Sequence, residues 1–309
     1  MKMNTLIAWI RIIRPPIIFI SCLGAFVGVF NSAIFLDMSL SNFQIFMVIL
    51  GAFFLASGLM IHNDVTDLES DKVNRPYKPL STGVINVKTA NFIGILMMIL
   101  SIFTTLLVNI NDSGNINWNC GFLTFLIVVL GMYYNKYGKN KGIIGHISVA
   151  LGVGAIPYWG SIAVFPTELL IMLPLTCAIF VQEIGREIMV AAGDFKGDSK
   201  AGFKTLPVQI GRKRAMQVTL IFYLIFIPLY PLPAYDWLSI GVPQVFGNLY
   251  LIGGTLFAIT LLLTWVLTYK VVLQDNEKKI WKAYERYGRT GTRAMVIIFQ
   301  IFLLLEIFY

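Results

Sequence analysis

Long apolar runs separated by short polar breaks fill this chain from end to end. They cover residues 16–36, 43–62, 90–109, 119–135, 143–164, 167–187, 215–235, 247–270 and 293–309. Each approaches the roughly 20 residues a helix needs to cross the hydrocarbon core of a bilayer. The alternating apolar and polar strands of a membrane barrel are absent. The pattern predicts an all-α, polytopic membrane bundle of nine transmembrane helices, forming a single domain over residues 1–309.

Charge placement tests that count. All 24 Lys and Arg residues lie in or beside the N-terminal segment and the breaks after the even-numbered runs. The opposite breaks carry only acids, namely Asp37, Asp112, Glu168 and Asp236, with Glu306 near the C-terminus. By the positive-inside rule, the N-terminus and the basic loops face the cytoplasm and the C-terminus faces outward, as expected of a multi-pass protein of the cell membrane. One span more or fewer would mix the two sets.

Composition agrees: 57% of residues are hydrophobic, 13% are charged, and the mean hydropathy is +0.75, whereas soluble domains carry about 25% charged residues. The net charge of +8 could suggest nucleic acid, but it lies along one membrane face. Anionic membrane lipid is the expected partner, with no nucleic acid and no obligate protein partner. The stretch Lys278–Tyr287 mixes cations with aromatics, as either an interfacial helix or a solvated loop would. Cys22, Cys120 and Cys177 lie in or beside apolar runs without disulfide or metal spacing. His62 and His146 stand alone, although His62 is placed to support the polar stretch that follows it.

Two acid-rich stretches, each behind an even-numbered run, break the apolar pattern. The first holds Asn63, Asp64, Asp67, Glu69 and Asp71, then Arg75 and Lys78; the second holds Glu187, Asp194 and Asp198, then Lys204. Asp71 to Lys78-Pro79-Leu80 parallels Asp198 to Lys204-Thr205-Leu206, a weak internal repeat of the kind that meets across a cavity in membrane proteins. At about 100° per residue, Asn63, Asp67 and Asp71 form one helical stripe, and Glu183, Glu187, Asp194 and Asp198 fall within an arc of about 60°. Gly193 and Gly197 are positioned to break the second helix. Facing carboxylates repel unless cations intervene, and Mg²⁺ shared with substrate phosphates is the natural partner of such oxygen donors. Arg75, Lys78, Lys139 and Lys204 could neutralise the rest of a diphosphate.

These residues resemble the UbiA family of intramembrane prenyltransferases. Asn63-Asp64-x-x-Asp67-x-x-x-Asp71 with Asn74-Arg75-Pro76-x-Lys78-Pro79 is similar to its first motif. Arg186-Glu187, Asp194-x-x-x-Asp198 and Gly202-x-Lys204-Thr205-Leu206-Pro207 are similar to its second. Arg14-Pro15, Tyr134 and Lys139 fit as well, and the style is that of the digeranylgeranylglyceryl phosphate synthase subgroup. The resemblance implies helices around a central cavity and Mg²⁺ held by Asn63, Asp64, Asp67, Asp71, Glu187, Asp194 and Asp198. It implies an isoprenyl diphosphate donor bound by Asn63, Arg75, Lys78, Lys139 and Arg14, and a lipophilic acceptor. Catalysis falls to Asp67, Asp71, Asp194, Asp198, Lys204 and Tyr134, whose ring can steady an allylic cation. Many relatives carry Lys-Asp where this chain has Val190 and Ala191, so one carboxylate is missing; Glu183 or Glu187 is the available substitute.

The expected reaction is Mg²⁺-dependent prenyl transfer to a lipophilic acceptor, with geranylgeranylglyceryl phosphate as the subgroup's acceptor. Transfer to an aromatic quinone precursor, internal capture of the cation by a UbiA-type terpene cyclase, and divalent-cation transport along the acidic stripes are the alternatives.

Overall fold

The computed structural model describes residues 4–235, 244–274 and 276–306; Asp236 and the last three residues of the final run lie outside the described residues. The chain opens with α1 (Thr5–Ile12), α2 (Pro15–Phe35), α3 (Asn42–Thr66), α4 (Leu68–Asn74) and α5 (Val87–Leu106). Next come α6 (Ile110–Ser113), α7 (Trp118–Lys136), α8 (Ile143–Gly154), α9 (Ile156–Val164) and α10 (Leu173–Lys200). The chain continues through α11 (Leu206–Ile210), α12 (Arg212–Leu229), α13 (Asn248–Leu273), α14 (Glu277–Ala283) and α15 (Thr292–Leu305). A π-helical stretch, Tyr284–Gly291, joins the last two.

Among the described residues, eight segments are long and apolar enough to cross a membrane, and the protein is a multi-pass, all-helical membrane protein. The expected span at 167–187 is the exception. It lies largely within the 28-residue α10, whose apolar half carries Glu183, Arg186 and Glu187 and therefore reads as too polar for a lipid-facing helix. The reason is position: α10 packs against α4, α8 and α12, and ionisable residues at membrane depth face the bundle interior. The expected span at 143–164 is two helices, α8 and α9, with Pro157 in the first turn of the second.

Two apolar cores flank the centre. One gathers Tyr223, Phe226, Tyr250, Phe257 and Phe299; the other surrounds Trp159 with residues of α2, α3 and α7. Helices in lipid gain little from hydrophobic burial against one another, so close backbone approach at small residues contributes more. An added Cβ at Gly28 would lie 1.9 Å from the Pro157 carbonyl oxygen, and one at Gly160 would lie 2.1 Å from that of Ala25. These contacts bring α2 and α9 backbone to backbone.

The two glycines of the second acidic stretch do not break their helix, which continues to Lys200. They admit neighbours instead. A Cβ at Gly193 would meet Tyr284 at 2.8 Å, and one at Gly197 would meet the Asn74 amide at 2.1 Å. Gly28→Ala should destabilise the fold by about 1–3 kcal/mol, because the crossing helices must separate. Gly152→Ala, where nothing lies within 4 Å, should not. Thermal unfolding of both variants in detergent checks the difference.

Candidate active site

The first acidic stretch straddles the end of α3. Asp67 closes that helix and opens α4, yet the column of hydrogen bonds carries through the join. The backbone N–H groups of Asp67, Asp71 and Arg75 donate to the carbonyls of Asn63, Asp67 and Asp71 at 2.9, 2.8 and 2.7 Å. The stripe expected from four-residue spacing therefore survives the change of helix. Asn74 then docks onto α10 over Gly197 and donates to the Asp194 carbonyl at 3.1 Å. Ser70 donates to the Asp198 carboxylate at 2.9 Å. The two acidic stretches thus meet.

Cations separate their carboxylates. Lys78 bridges Asp64 at 2.8 Å and Asp71 at 2.6 Å. Arg75 bridges Asp71 at 3.1 Å and Asp194 at 2.6 Å, joining one stretch to the other. Arg14 pairs with Asp64, and Arg289 with both Asp194 and Glu285. Arg14 adopts φ 56° immediately before Pro15, a left-handed conformation that costs an arginine about 1–3 kcal/mol unless its surroundings hold it there. From there its guanidinium reaches Asp64 and Asn63. Burial drives the Lys78 ammonium below its ordinary pKa and Arg14 adds to the effect, against the pull of Asp64 and Asp71. Burial also disfavours the charge on Arg75, but Asp194 and the other neighbouring carboxylates outweigh it and hold the pKa above its usual value.

A cavity of about 490 Å³ opens beside this network. Asn63, Asp67, Tyr134, Glu183, Glu187, Asp194 and Asp198 line it, with Arg14, Arg75, Lys78, Arg186, Arg289 and Arg293. Leu55, Leu59, Ile127, Trp159, Val153 and Val296 form its apolar walls. Asp64 and Asp71 are each 3% exposed and stand behind the wall, where they hold the cations. Lys204 is exposed and does not line the cavity; its backbone amide instead donates to Asn140 at 3.1 Å. The two halves of the internal repeat are therefore not equivalent, since Lys78 points in and Lys204 does not. The Lys139 side chain lies outside the described residues.

Arg186 pairs with both Glu183 and Glu187, so neither acid is a free replacement for the one missing at Ala191, which itself lines the cavity. His62 acts from behind. Its Nδ1 lies 3.0 Å from the Asn135 amide nitrogen, and Asn135 Oδ1 accepts from Asn63 at 3.0 Å. His146 is buried on α8, and neither ring nitrogen makes a hydrogen bond among the described residues.

Residues 17–301 match the model of the UbiA prenyltransferase family. The chain belongs to that family. A digeranylgeranylglyceryl phosphate synthase of Sulfurisphaera tokodaii is 30% identical over 235 residues, covering 74% of this chain and 77% of the relative. A solved structure described as a digeranylgeranylglyceryl phosphate synthase in membranes superposes with a TM-score of 0.67 at 21% identity, covering 99% of both chains. A UbiA homologue from Archaeoglobus fulgidus, solved with GPP and Mg²⁺, gives 0.66 at 18% identity over 98% of this chain and 100% of its own. The protein is a prenyltransferase of the UbiA type, and the resemblance read from its two motifs holds.

The last helical segment supplies what sequence reasoning missed in this UbiA site. Arg289 and Arg293 enter that reasoning only as cytoplasmic charge, yet both line the cavity, and Arg289 is 8% exposed. The available signal was spacing: Glu285, Arg289 and Arg293 are four apart and form one helical column. The stretch Lys278–Tyr287 is a packed helix with Ile280 and Tyr284 each 1% exposed, rather than a solvated loop.

As pH rises through the depressed pKa of Lys78, its positive charge is lost from between Asp64 and Asp71. Affinity for the prenyl diphosphate should fall over the same interval, below the ordinary lysine range. Lys78→Arg stays protonated and should extend the flat part of the profile to higher pH. Profiles of donor KM against pH for the two proteins check this; identical profiles would exclude Lys78 as the titrating group.

Proposed function

We propose that this protein transfers a geranylgeranyl group from its diphosphate to the free hydroxyl of geranylgeranylglyceryl phosphate. The observation that carries the proposal is the joining of both acidic motifs, through Arg75, at the polar rim of one apolar cavity. Similarity to digeranylgeranylglyceryl phosphate synthases supports the choice of acceptor. In the reaction, the bond between the prenyl carbon and the diphosphate oxygen breaks, its electron pair leaving with the diphosphate. A new C–O bond forms from the acceptor hydroxyl, whose proton passes to the diphosphate or a neighbouring carboxylate.

Arg14, Arg75 and Lys78 hold the diphosphate by charge-assisted hydrogen bonds. The ring of Tyr134 faces the same cavity and steadies the allylic cation; the apolar walls keep water from it. Among the described residues, no three of His, Cys, Asp and Glu come close enough to hold a bare metal ion. The oxygen-only donors of the wall suit Mg²⁺, whose remaining coordination positions substrate phosphates and water fill. Asp67 and Asp198 on the wall would hold the ion, with Asn63, Asp194 and Glu187 beside them. Bound there, Mg²⁺ supplies positive charge to the departing diphosphate. In the membrane, α10 forms the sixth of nine spans and the motifs face the cytoplasm.

Diphosphate release by the purified protein, with and without Mg²⁺, tests this reading across prenyl diphosphates and acceptors. Release should require Mg²⁺ and be fastest with geranylgeranylglyceryl phosphate. Asp67→Asn and Asp198→Asn should each lower turnover by at least about 10²-fold while leaving the unfolding temperature near wild type. Full activity in both variants would sink the metal-site assignment, and a cyclic hydrocarbon formed without acceptor would favour a cyclase.

A further inference from the structure

Six cations line the cavity: Arg14, Arg75, Lys78, Arg186, Arg289 and Arg293. Five of them are satisfied by carboxylates of the chain. Arg293 is different: among the described residues, its side chain makes no ion pair and no hydrogen bond. The charged groups acting on it are Arg186, Arg14 and Arg289 of its own sign, with Glu285 and Glu183 opposing them from beyond ion-pair distance. A guanidinium at membrane depth with no carboxylate within ion-pair distance is costly, and such a group marks a binding function with a partner to be named.

Its position distinguishes that partner from the diphosphate. Arg293 lies one turn past Arg289 on the same helical column, about 6 Å further along the axis. Arg289 is held at Asp194, at the end of α10 where both motifs meet. Arg186, eight residues before Asp194 on α10, is among the charges facing Arg293, so Arg293 looks onto the Arg186 side of the cavity, away from the junction at Asp194 where the two motifs meet. Arg14, Arg75 and Lys78 at the junction are taken by the donor diphosphate in the functional reading above, which leaves Arg293, one turn away, for a second anion.

We infer that Arg293 binds the phosphate monoester of the acceptor, one helical turn from the donor diphosphate. The inference rests on the functional reading above. A planar fork of donors suits two phosphate oxygens at once, and an unpaired guanidinium need not break an existing ion pair to accept them. With one anion at the motifs and the other at Arg293, the acceptor hydroxyl is held beside the donor carbon. The same group would give preference to acceptors bearing phosphate over the corresponding free alcohol.

The test is steady-state kinetics of wild type, Arg293→Gln and Arg293→Lys in detergent. The donor is geranylgeranyl diphosphate; the acceptors are geranylgeranylglyceryl phosphate, its dephosphorylated alcohol and an aromatic carboxylate. Arg293→Gln should raise KM for the phosphate-bearing acceptor roughly 10- to 100-fold, the loss expected for charge-assisted hydrogen bonds. KM for the donor and kcat/KM for the free alcohol should not change, and Arg293→Lys should recover part of the loss. An equal effect on phosphate and alcohol, or a rise in donor KM alone, overturns the assignment while leaving the functional reading intact. Wild-type protein that prenylates the aromatic carboxylate and ignores the phosphate overturns the functional reading, and this assignment with it. A matched unfolding temperature for Arg293→Gln shows that the variant folds.

Discussion

The structure depends on a single electrostatic constraint: carboxylates buried near a bilayer must be paired. Asp64, Asp71 and Asp194 are each met by two cations, and each of those cations except Arg14 bridges at least two acids. The result is a chain of alternating charge from the N-terminal segment to the last helical segment, through α3, α4 and α10. Removing one partner of a buried pair is expensive, on the order of 3–5 kcal/mol, because the other is left uncompensated. The network therefore fixes the relative position of four distant parts of the sequence and leaves the lining acids Asp67 and Asp198 at the edge of the cavity.

Close backbone approach makes that network geometrically possible. Asn74 reaches the Asp194 carbonyl because position 197 has no side chain, and the last helical segment reaches Asp194 because Gly193 admits Tyr284. The π-helical stretch that carries Arg289 widens the turn at that contact, a feature often found at functional positions. Small residues thus set the spacing, and charge sets the register. Large residues such as Trp159, Tyr223 and Phe257 fill the space around them.

Much of this was legible in the sequence because periodicity and charge are direct consequences of the bilayer. The apolar runs locate the membrane helices, and four-residue spacing places Asn63, Asp67 and Asp71 on one column even though α3 ends between them. What was hidden depended on tertiary neighbours. Gly193 and Gly197 look like helix breakers until their partners are known. Lys78 and Lys204 follow similar motifs, but only Lys78 turns inward, because the segment around Lys204 is tied to Asn140 and Gly142. Arg289 sits in a run of charges that marks the cytoplasmic side, and no local pattern reveals a pairing 95 residues away.

Position 14 sets backbone strain against an ion pair within one residue. Glycine adopts the left-handed conformation there without penalty, so a screen for thermal tolerance would favour replacing the arginine if backbone strain outweighed its ion pair. The same replacement would remove the guanidinium from Asp64 and leave Lys78 as its only cationic partner. Leaving a buried carboxylate short of a partner costs about 3–5 kcal/mol, against about 1–3 for the left-handed backbone, so the ion pair keeps arginine at this site despite the strain. Efforts to harden this enzyme for biotechnology should therefore leave its left-handed turn untouched and seek their gains on the lipid-facing surface.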